Sequence, residues 1–467
     1  MPRPDTAIGS PRWWVHESPR REWWRHGVAT AEIAPGGEAA PIVADDSVAA
    51  FVGVLAFTFV LLMSPQSTIT ALAPLRLAFV SVMASLAALL LYRLGHGQSL
   101  GTMTRETWIA AALAAWAVVT LPWSAWPTGA LSFLLQIYFK SLVIFWLLLN
   151  TLVTRTRIRR IAWALTAMSV PLAIAGVRHF LIGDFLGDEG RRAGRIAGFD
   201  APLTSNPNDL ALMLNLLLPL AVALLLMTRR PMVRLALAGA IALDVAGVFA
   251  TYSRGGFVTL AAILLVYLWK FRGRPERRWA WGLVGGLLAL VLVGLPLLLP
   301  VSYLDRLNTI TDIKADTTGS AEARWSDAWA ALRVISRHPI VGAGPGQNIL
   351  ALNDERGARW KEIHNVYLEY AVDLGLPGLA LFVTLWALSL GATALVQRES
   401  RGRPGSSDLF YLAEGVQVSL IAFAVAGMVH PVAYHFHFYY MAGLALAIRE
   451  VWRAEQGAAG AGLRAAA

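Results

Sequence analysis

His364 directly precedes a predicted helix and is the residue whose type and position best suit a general base. The segment His364-Asn-Val-Tyr-Leu-Glu-Tyr starts a helix near Asn365, a good N-cap residue, and the helix breaks at Gly375 and Pro377. The positive end of the helix dipole favours neutral imidazole, which is the state that a general base requires. A surface or hydrogen-bonded structural histidine is the alternative that this position leaves open.

Arginines are concentrated in two segments between apolar runs, at about 183–207 and about 300–365. The cations of these segments are Arg191, Arg192 and Arg195 in the first, and Arg306, Lys314, Arg324, Arg333, Arg337, Arg356, Arg359 and Lys361 in the second. Arg254 lies in the short turn Tyr252-Ser-Arg-Gly-Gly256. Guanidinium groups bind anionic oxygens in pairs. These segments therefore predict an anionic ligand, with pairing to lipid headgroups as the alternative.

The second arginine-rich segment contains a predicted helix and a predicted turn. Residues 321–337 place two tryptophans, Trp325 and Trp329, on one helical face, which favours a helix at the membrane interface; packing against other helices is the alternative. Three glycines and two prolines in His338-Pro-Ile-Val-Gly-Ala-Gly-Pro-Gly346 predict a tight structural turn. No Gly-Lys-Ser/Thr follows the glycines, which argues against a nucleotide-binding loop.

Other polar residues near the ends of apolar runs, or within them, have weaker claims to function. Asn206 and Asn208 stand where a helix N-cap is at least as well supported as a sugar contact. A metal site would need more converging ligands than the sequence contains, so three neighbouring histidines are predicted to be interfacial: His430, His435 and His437. Lys140 and Asp244 fall within apolar runs and are predicted to form a buried pair, with a lining role in a lipid groove as the alternative.

The composition excludes an ordinary soluble protein. Of 467 residues, 56% are hydrophobic and only 15% are charged, whereas about a quarter are charged in a typical soluble domain. The net charge of +10 fits the basic loops of a membrane protein and does not indicate nucleic-acid binding. The chain contains no cysteine, which excludes disulfides, thiolate metal sites and cysteine nucleophiles.

The hydropathy pattern predicts an all-α polytopic membrane protein with about twelve spans. The predicted spans are 47–63, 72–92, 107–121, 130–152, 161–182, 208–227, 232–250, 256–270, 280–299, 366–396, 409–429 and 432–450. Spans 107–121 and 256–270 are short enough that re-entrant segments are an alternative. The predicted organisation is 1–46 as a basic cytoplasmic tail, 47–299 as nine spans, 300–365 as one long periplasmic loop, 366–450 as three spans and 451–467 as a cytoplasmic tail.

Lys and Arg also predict the orientation of the chain. Short loops such as 153–160, 228–234 and 270–278 are rich in these residues, whereas the turns after Met63, Leu121 and Val429 contain none. By the positive-inside rule, both termini are cytoplasmic and His364 faces the opposite side. The predicted spans imply contacts with membrane lipids. The orientation predicts that the two arginine-rich segments lie on the extracytoplasmic side.

Five motifs in order make the chain resemble the O-antigen ligase and polymerase superfamily of bacterial envelope glycosyltransferases. They are Gly194-Arg-Ile-Ala-Gly-Phe with Asn206-Pro-Asn-Asp-Leu-Ala211, Tyr252-Ser-Arg-Gly-Gly256, Arg324-Trp through Trp329, His338-Pro-x-x-Gly-x-Gly-Pro-Gly, and His364-Asn-x-Tyr-Leu. The motifs cover about 190–380, and the flanking spans match in hydropathy alone. Ligases, polymerases and O-linked protein oligosaccharyltransferases share these motifs.

The resemblance implies roles for named residues. It implies that Arg195, Arg324 and His364 are the family's two functional arginines and its histidine, with Arg254, Arg191 and Asn208 as weaker candidates for substrate binding. The family transfers a glycan from undecaprenyl diphosphate without a metal or other cofactor. Release of a diphosphate requires neutralisation of its growing charge, which guanidinium groups supply. His364 would take the proton from the acceptor hydroxyl.

The resulting expectation is an O-antigen ligase in the bacterial inner membrane, with a periplasmic active site and a lipid A-core or other glycan acceptor. A polymerase and a protein oligosaccharyltransferase are alternatives, because nothing in the residues identifies the acceptor. A transporter of lipid-linked glycans is an alternative from another class. It would require polar positions through many spans, whereas Lys140, Asp244 and Glu414 are nearly the only such residues.

Overall fold

The computed structural model describes residues 47–183, 196, 198–274, 282, 320–403 and 405–466, and these residues contain helices and no strands. The main helices are α1 (Val48–Met63), α2 (Leu77–Gly95), α3 (Arg105–Val119), α4 (Pro127–Thr151), α5 (Arg155–Ile182), α6 (Pro207–Met227), α7 (Pro231–Ala250), α8 (Arg254–Phe271), α9 (Ser320–Arg337), α10 (Asn348–Arg356), α11 (Val366–Ser400), α12 (Ser407–Ala426) and α13 (Phe436–Ala466). Helix α4 contains one π-helical turn at Leu134–Tyr138. The all-α polytopic membrane fold predicted from hydropathy is confirmed.

Nine helices in the described ranges are long and apolar enough to cross a membrane, and Val48–Met63 is a shorter apolar helix. Both short predicted spans belong to the nine, as parts of Arg105–Trp123 and Arg254–Phe271. The predicted span 280–299, the tail 1–46 and the start of the long loop lie outside the described residues. Helix α13 continues beyond the predicted end at residue 450, since its extension contains helix-forming residues and no proline.

Helices α6 and α12 form the centre of the bundle. Most of their side chains are buried, whereas α2 exposes most of its apolar residues. Small residues allow close helix contacts: a side chain at Gly247 of α7 would collide with Leu214 of α6 and with Ala173 of α5. In lipid, a helix satisfies the hydrogen bonds of its own backbone. Each buried polar side chain therefore needs a hydrogen-bond partner of its own.

The predicted pair of Lys140 and Asp244 does not form. Asp244 Oδ2 instead accepts a hydrogen bond of 2.9 Å from Ser169 Oγ, while Lys140 is exposed on α4. The prediction was wrong because helical spacing places residues on faces but does not say which faces of separate helices meet. Helices α5 and α7 bring Ser169 and Asp244 together.

Several helix ends meet at one end of the bundle, which we call the site end. Helices α6, α8 and α11 begin there, and α12 ends there before the loop 427–435 leads into α13. The backbone N–H of Val366 donates to the carbonyl of Gly427 at 2.7 Å, and Asn365 Nδ2 donates to the carbonyl of Met428 at 3.2 Å. The start of α11 is thereby fixed to the 427–435 loop.

Candidate active site

His430 connects the 427–435 loop to the start of α6. Its Nδ1 lies 3.0 Å from the carbonyl oxygen of Ala426, and its Nε2 lies 3.2 Å from the carbonyl oxygen of Asn208. Carbonyl oxygens only accept, so both bonds form together when both ring nitrogens carry a proton. The ring is 3% exposed. His430 thereby joins the end of α12 to the start of α6.

His364 lies beside this loop with one ring nitrogen occupied. Its Nδ1 is 3.0 Å from the carbonyl oxygen of Glu362, and because a carbonyl accepts, Nδ1 is the protonated nitrogen. The neutral ring therefore carries its lone pair on Nε2. Asn365 follows directly and caps α11, accepting from the backbone N–H groups of Tyr367 and Leu368 at 3.0 Å each. The predicted helix start and N-cap are confirmed.

The surroundings of His364 keep its ring neutral. Burial lowers the pKa of His364 to about 4, and the positive charge of Arg324 is the next cause. His430 and Lys361 lower this pKa further, while the bond to the Glu362 carbonyl raises it. The field around His364 is thus positive, which suits an anionic ligand. The same field keeps the imidazole in the form that can accept a proton near neutral pH.

Arg324 reaches this site from α9. The buried face of α9 contains Ala330, Ala331 and Val334, which form a small apolar cluster with residues of the loop and of α11. Trp325 and Trp329 point away from that cluster and are 58% and 60% exposed. The helix predicted at 321–337 is confirmed, and its exposed tryptophans favour the interfacial alternative over the packed one.

Ion pairs fix α10 against α9. Arg356 of α10 pairs with Asp327 of α9, and Glu355 of α10 accepts from Arg333 at 3.1 Å and also pairs with Arg337. Four of the arginine-rich segment's charges are thereby accounted for by two carboxylates, with Arg359 3.9 Å from Asp327. These pairs stabilise the packing of α10 on α9, and the positive charge of Arg324, also on α9, acts on His364.

The glycine-rich turn of the long loop closes against the break in α11. Gly342, Gly344 and Gly346 all have positive φ angles, as does Gly375 of α11. Asp373 fixes the turn, because its Oδ2 accepts from the N–H of Gly346 at 2.9 Å and its carbonyl accepts from the N–H of Gly344 at 2.9 Å. The prediction of a structural turn is confirmed.

Two weaker candidates lie at helix N-termini near His430. Asn206 caps α6 by accepting from the N–H of Asn208 at 2.9 Å, as predicted. Arg254 is the first residue of α8, and a side chain at its neighbour Gly255 would lie 3.3 Å from the His430 ring. The N-termini of α6, α8 and α11 thus approach the same loop. Helix N-termini attract anions, so their convergence adds to the positive field.

The structure places four of the six predicted site residues at the site end and adds His430. The charge of Arg324 acts on His364, and Arg254 precedes Gly255, which approaches the His430 ring. Asn208 contributes its carbonyl oxygen to His430. The remaining two, Arg191 and Arg195, lie outside the described residues, as does Arg192.

His430 is a residue of the site end that sequence reasoning did not single out. His430 and His437 are buried within the protein, with 3% and 5% exposed. The contact that fixes His430 joins positions 222 residues apart, and no local pattern encodes such a contact. The local signal was a histidine followed by a proline at the end of a helix, and this pattern alone is weak evidence for a functional residue.

The comparison with protein families agrees with this geometry. Residues 239–383 match a family model described as O-antigen ligase. The match includes Arg254, Arg324, the glycine-rich turn and His364. No curated protein matches the chain. The match over residues 239–383 thus supports the resemblance of this chain to the O-antigen ligase superfamily.

Proposed function

We propose that this protein is an O-antigen ligase that transfers a glycan from undecaprenyl diphosphate to a lipid A-core acceptor on the periplasmic face of the bacterial inner membrane. The observation that carries the proposal is the effect of the positive charge of Arg324 on the neutral ring of His364. A neutral imidazole with a free Nε2 lone pair and a guanidinium beside it combine a base with a phosphate-binding group.

In the proposed reaction, an acceptor hydroxyl attacks the anomeric carbon of the lipid-linked glycan. His364 Nε2 takes the hydroxyl proton as the new glycosidic C–O bond forms. The bond between the anomeric carbon and the diphosphate oxygen breaks, and undecaprenyl diphosphate leaves with that electron pair. Direct displacement inverts the anomeric centre. No metal or other cofactor takes part in this scheme.

Arg324 neutralises the charge that grows on the leaving diphosphate. Arg195 is proposed as the second phosphate-binding arginine, and Arg254 and Arg191 as further contributors to the positive field. Guanidinium groups suit this role because their paired N–H donors match phosphate oxygens, which a lysine ammonium does not reproduce. The N-termini of α6, α8 and α11 contribute in the same direction.

The donor is proposed to enter sideways from the bilayer, so that its polyprenyl chain stays in lipid. The exposed Trp325 and Trp329 on α9 support an interfacial position for this helix beside the entry route. The periplasmic position follows from the distribution of Lys and Arg in the short loops. Asn208 is proposed to contact the glycan from the start of α6.

A lipopolysaccharide gel with a glycan blot tests the proposal. A strain without this gene, carrying an empty plasmid or the wild-type gene, is compared with its parent. A ligase predicts loss of every core-linked glycan band, accumulation of lipid-linked polymer, and recovery with the plasmid. A single repeat on the core identifies a polymerase instead. An unchanged ladder contradicts both and directs the search to glycoproteins or another exported polysaccharide.

A further inference from the structure

A basic cavity lies at the opposite end of the bundle from His364, between α8, α11 and α12. Its volume is about 720 Å³. The charged groups of its lining are cationic, with no Asp or Glu among the described lining residues: Lys270, Arg272, Arg274, Arg398 and Arg401. The cavity is open to the surface at the helix ends. We propose that it binds the headgroup and upper acyl chain of an anionic phospholipid.

The floor of the cavity is a closed network of buried charges. Arg274 binds Glu414 of α12 with two hydrogen bonds of 3.1 and 2.7 Å, and Lys270 Nζ lies 3.7 Å from the same carboxylate. Lys270 also donates to Gln397 at 2.8 Å and to Gln417 at 2.6 Å. Glu414 therefore pairs with the cations of the floor, and its single negative charge neutralises at most one of Arg274 and Lys270.

The rim consists of Arg272, Arg398 and Arg401, which are exposed. None of the three forms a salt bridge within the described part of the chain. Arg272 lies over the ring of Trp269 at 5.6 Å, which orients the guanidinium without neutralising it. Three guanidinium groups around one opening, with no salt bridge to any described residue, favour a phosphate-bearing ligand.

The walls are apolar and extend toward the middle of the bilayer. Leu390 precedes Arg398 by eight residues on α11, which corresponds to about 12 Å along the helix. Val266 and Ile421 continue the apolar lining on α8 and α12. A free phosphate or a nucleotide would bury no hydrocarbon against these walls, whereas a phospholipid places its phosphate at the rim and a chain along them. The cationic rim and the apolar walls together therefore favour a phospholipid over a free phosphate or a nucleotide.

Binding of phosphatidylglycerol to the purified full-length protein in neutral detergent tests the proposal by native mass spectrometry. The cavity variant Arg272→Gln/Arg398→Gln/Arg401→Gln is compared with Arg160→Gln/Arg229→Gln/Arg230→Gln, which removes three exposed arginines at the same end outside the cavity. Each arginine near anionic lipid contributes about fivefold in affinity, so the cavity variant should bind on the order of 100-fold more weakly. The control should keep most of its affinity, and phosphatidylcholine should bind neither tightly nor in a charge-dependent way.

A second pair of variants separates the cavity from charge and from misfolding. Gly391 lines the cavity and has open space around it, so Gly391→Leu fills the cavity while keeping every arginine. Gly239→Leu on α7 is the matched control, because Gly239 also has open space and lies outside the cavity. We expect Gly391→Leu alone to reduce phosphatidylglycerol binding at least tenfold. Equal losses in the cavity and control variants, no loss in the cavity variants, or displacement of the lipid by millimolar inorganic phosphate would each overturn the proposal.

Discussion

The two ends of the bundle hold their charged groups in different ways. At the end opposite the site and outside the basic cavity, Arg449 of α13 binds Glu106 of α3 through two hydrogen bonds of 2.6 and 2.8 Å, so the charges of this pair cancel. At the site end, His364 and His430 are held by backbone carbonyl oxygens at 3.0 to 3.2 Å. A carbonyl orients a ring without adding a full negative charge. The electrostatic potential around His364 therefore stays positive, which favours binding of an anionic ligand.

This comparison assigns different consequences to substitutions at the two ends. A carboxylate-paired arginine stabilises the fold, because removal of its partner leaves a buried charge unpaired. Loss of His364, which is held by one carbonyl, is expected to affect the reaction more than the fold, because a single hydrogen bond of this kind is weaker than a buried ion pair. The predictions below measure activity and stability for variants at both ends.

The largest effect is expected for His364→Ala, which removes the proposed base. General-base catalysis contributes about 10²- to 10⁴-fold, so glycan transfer in reconstituted membranes should fall by that factor. The matched control is His96→Ala, an exposed histidine at the opposite end whose Nδ1 also lies near a carbonyl, that of Tyr92 at 2.7 Å. Retained transfer in His364→Ala, at normal protein levels, would remove His364 from the mechanism.

Glu106→Gln should affect stability and leave the chemistry intact. The change leaves Arg449 without its principal partner, although Glu450 still accepts from Arg449 Nε at 2.8 Å. Breaking a buried pair of this kind costs about 3 kcal/mol in free energy of unfolding. Denaturant unfolding in detergent measures the loss, and transfer per folded protein should match wild type. A stable Glu106→Gln protein would contradict the contrast between the two ends.

Arg324→Lys tests whether the guanidinium shape matters beyond its charge. Lysine keeps the positive charge but loses the paired N–H donors, and loss of a donor to developing negative charge costs about 10²- to 10³-fold in rate. Arg333→Lys is the control on the same helix, since Arg333 is paired with Glu355. A fully active Arg324→Lys protein would show that charge alone suffices.

His430→Gln tests the link between the 427–435 loop and α6. Glutamine supplies an N–H donor for one carbonyl but leaves the other without a partner, and a buried unsatisfied acceptor costs about 1–3 kcal/mol. We expect a lower thermal midpoint and a reduction in transfer that is smaller than for Arg324→Lys. Thermal unfolding and initial rates are measured on the same preparation. An effect on stability with no change in rate would make His430 a structural residue only.

The sequence predicted the fold well and the site in part. Eleven of the twelve predicted spans coincide with helices, because a run of apolar residues is sufficient to specify a helix in lipid. Local signals also located the Asn206 and Asn365 caps and the glycine turn. Contacts between distant segments were not predictable in the same way. His430 and Asp244 both depend on which helix faces meet, and hydropathy carries no information about that choice.

The smallest expected effect is a shift in pH dependence. Protonation of His364 removes the base, so activity is lost as pH falls through its pKa. Because burial and Arg324 lower the pKa of His364 to about 4, the acid limb of kcat/KM should lie near pH 4. In Arg324→Gln one cause of the lowering is gone, so the limb should move toward neutral pH. Bound diphosphate adds negative charge beside the ring, so the limb of kcat should lie at higher pH than that of kcat/KM. A wild-type kcat/KM limb between pH 6 and 7 would place His364 in a neutral or negative field and contradict the positive site end.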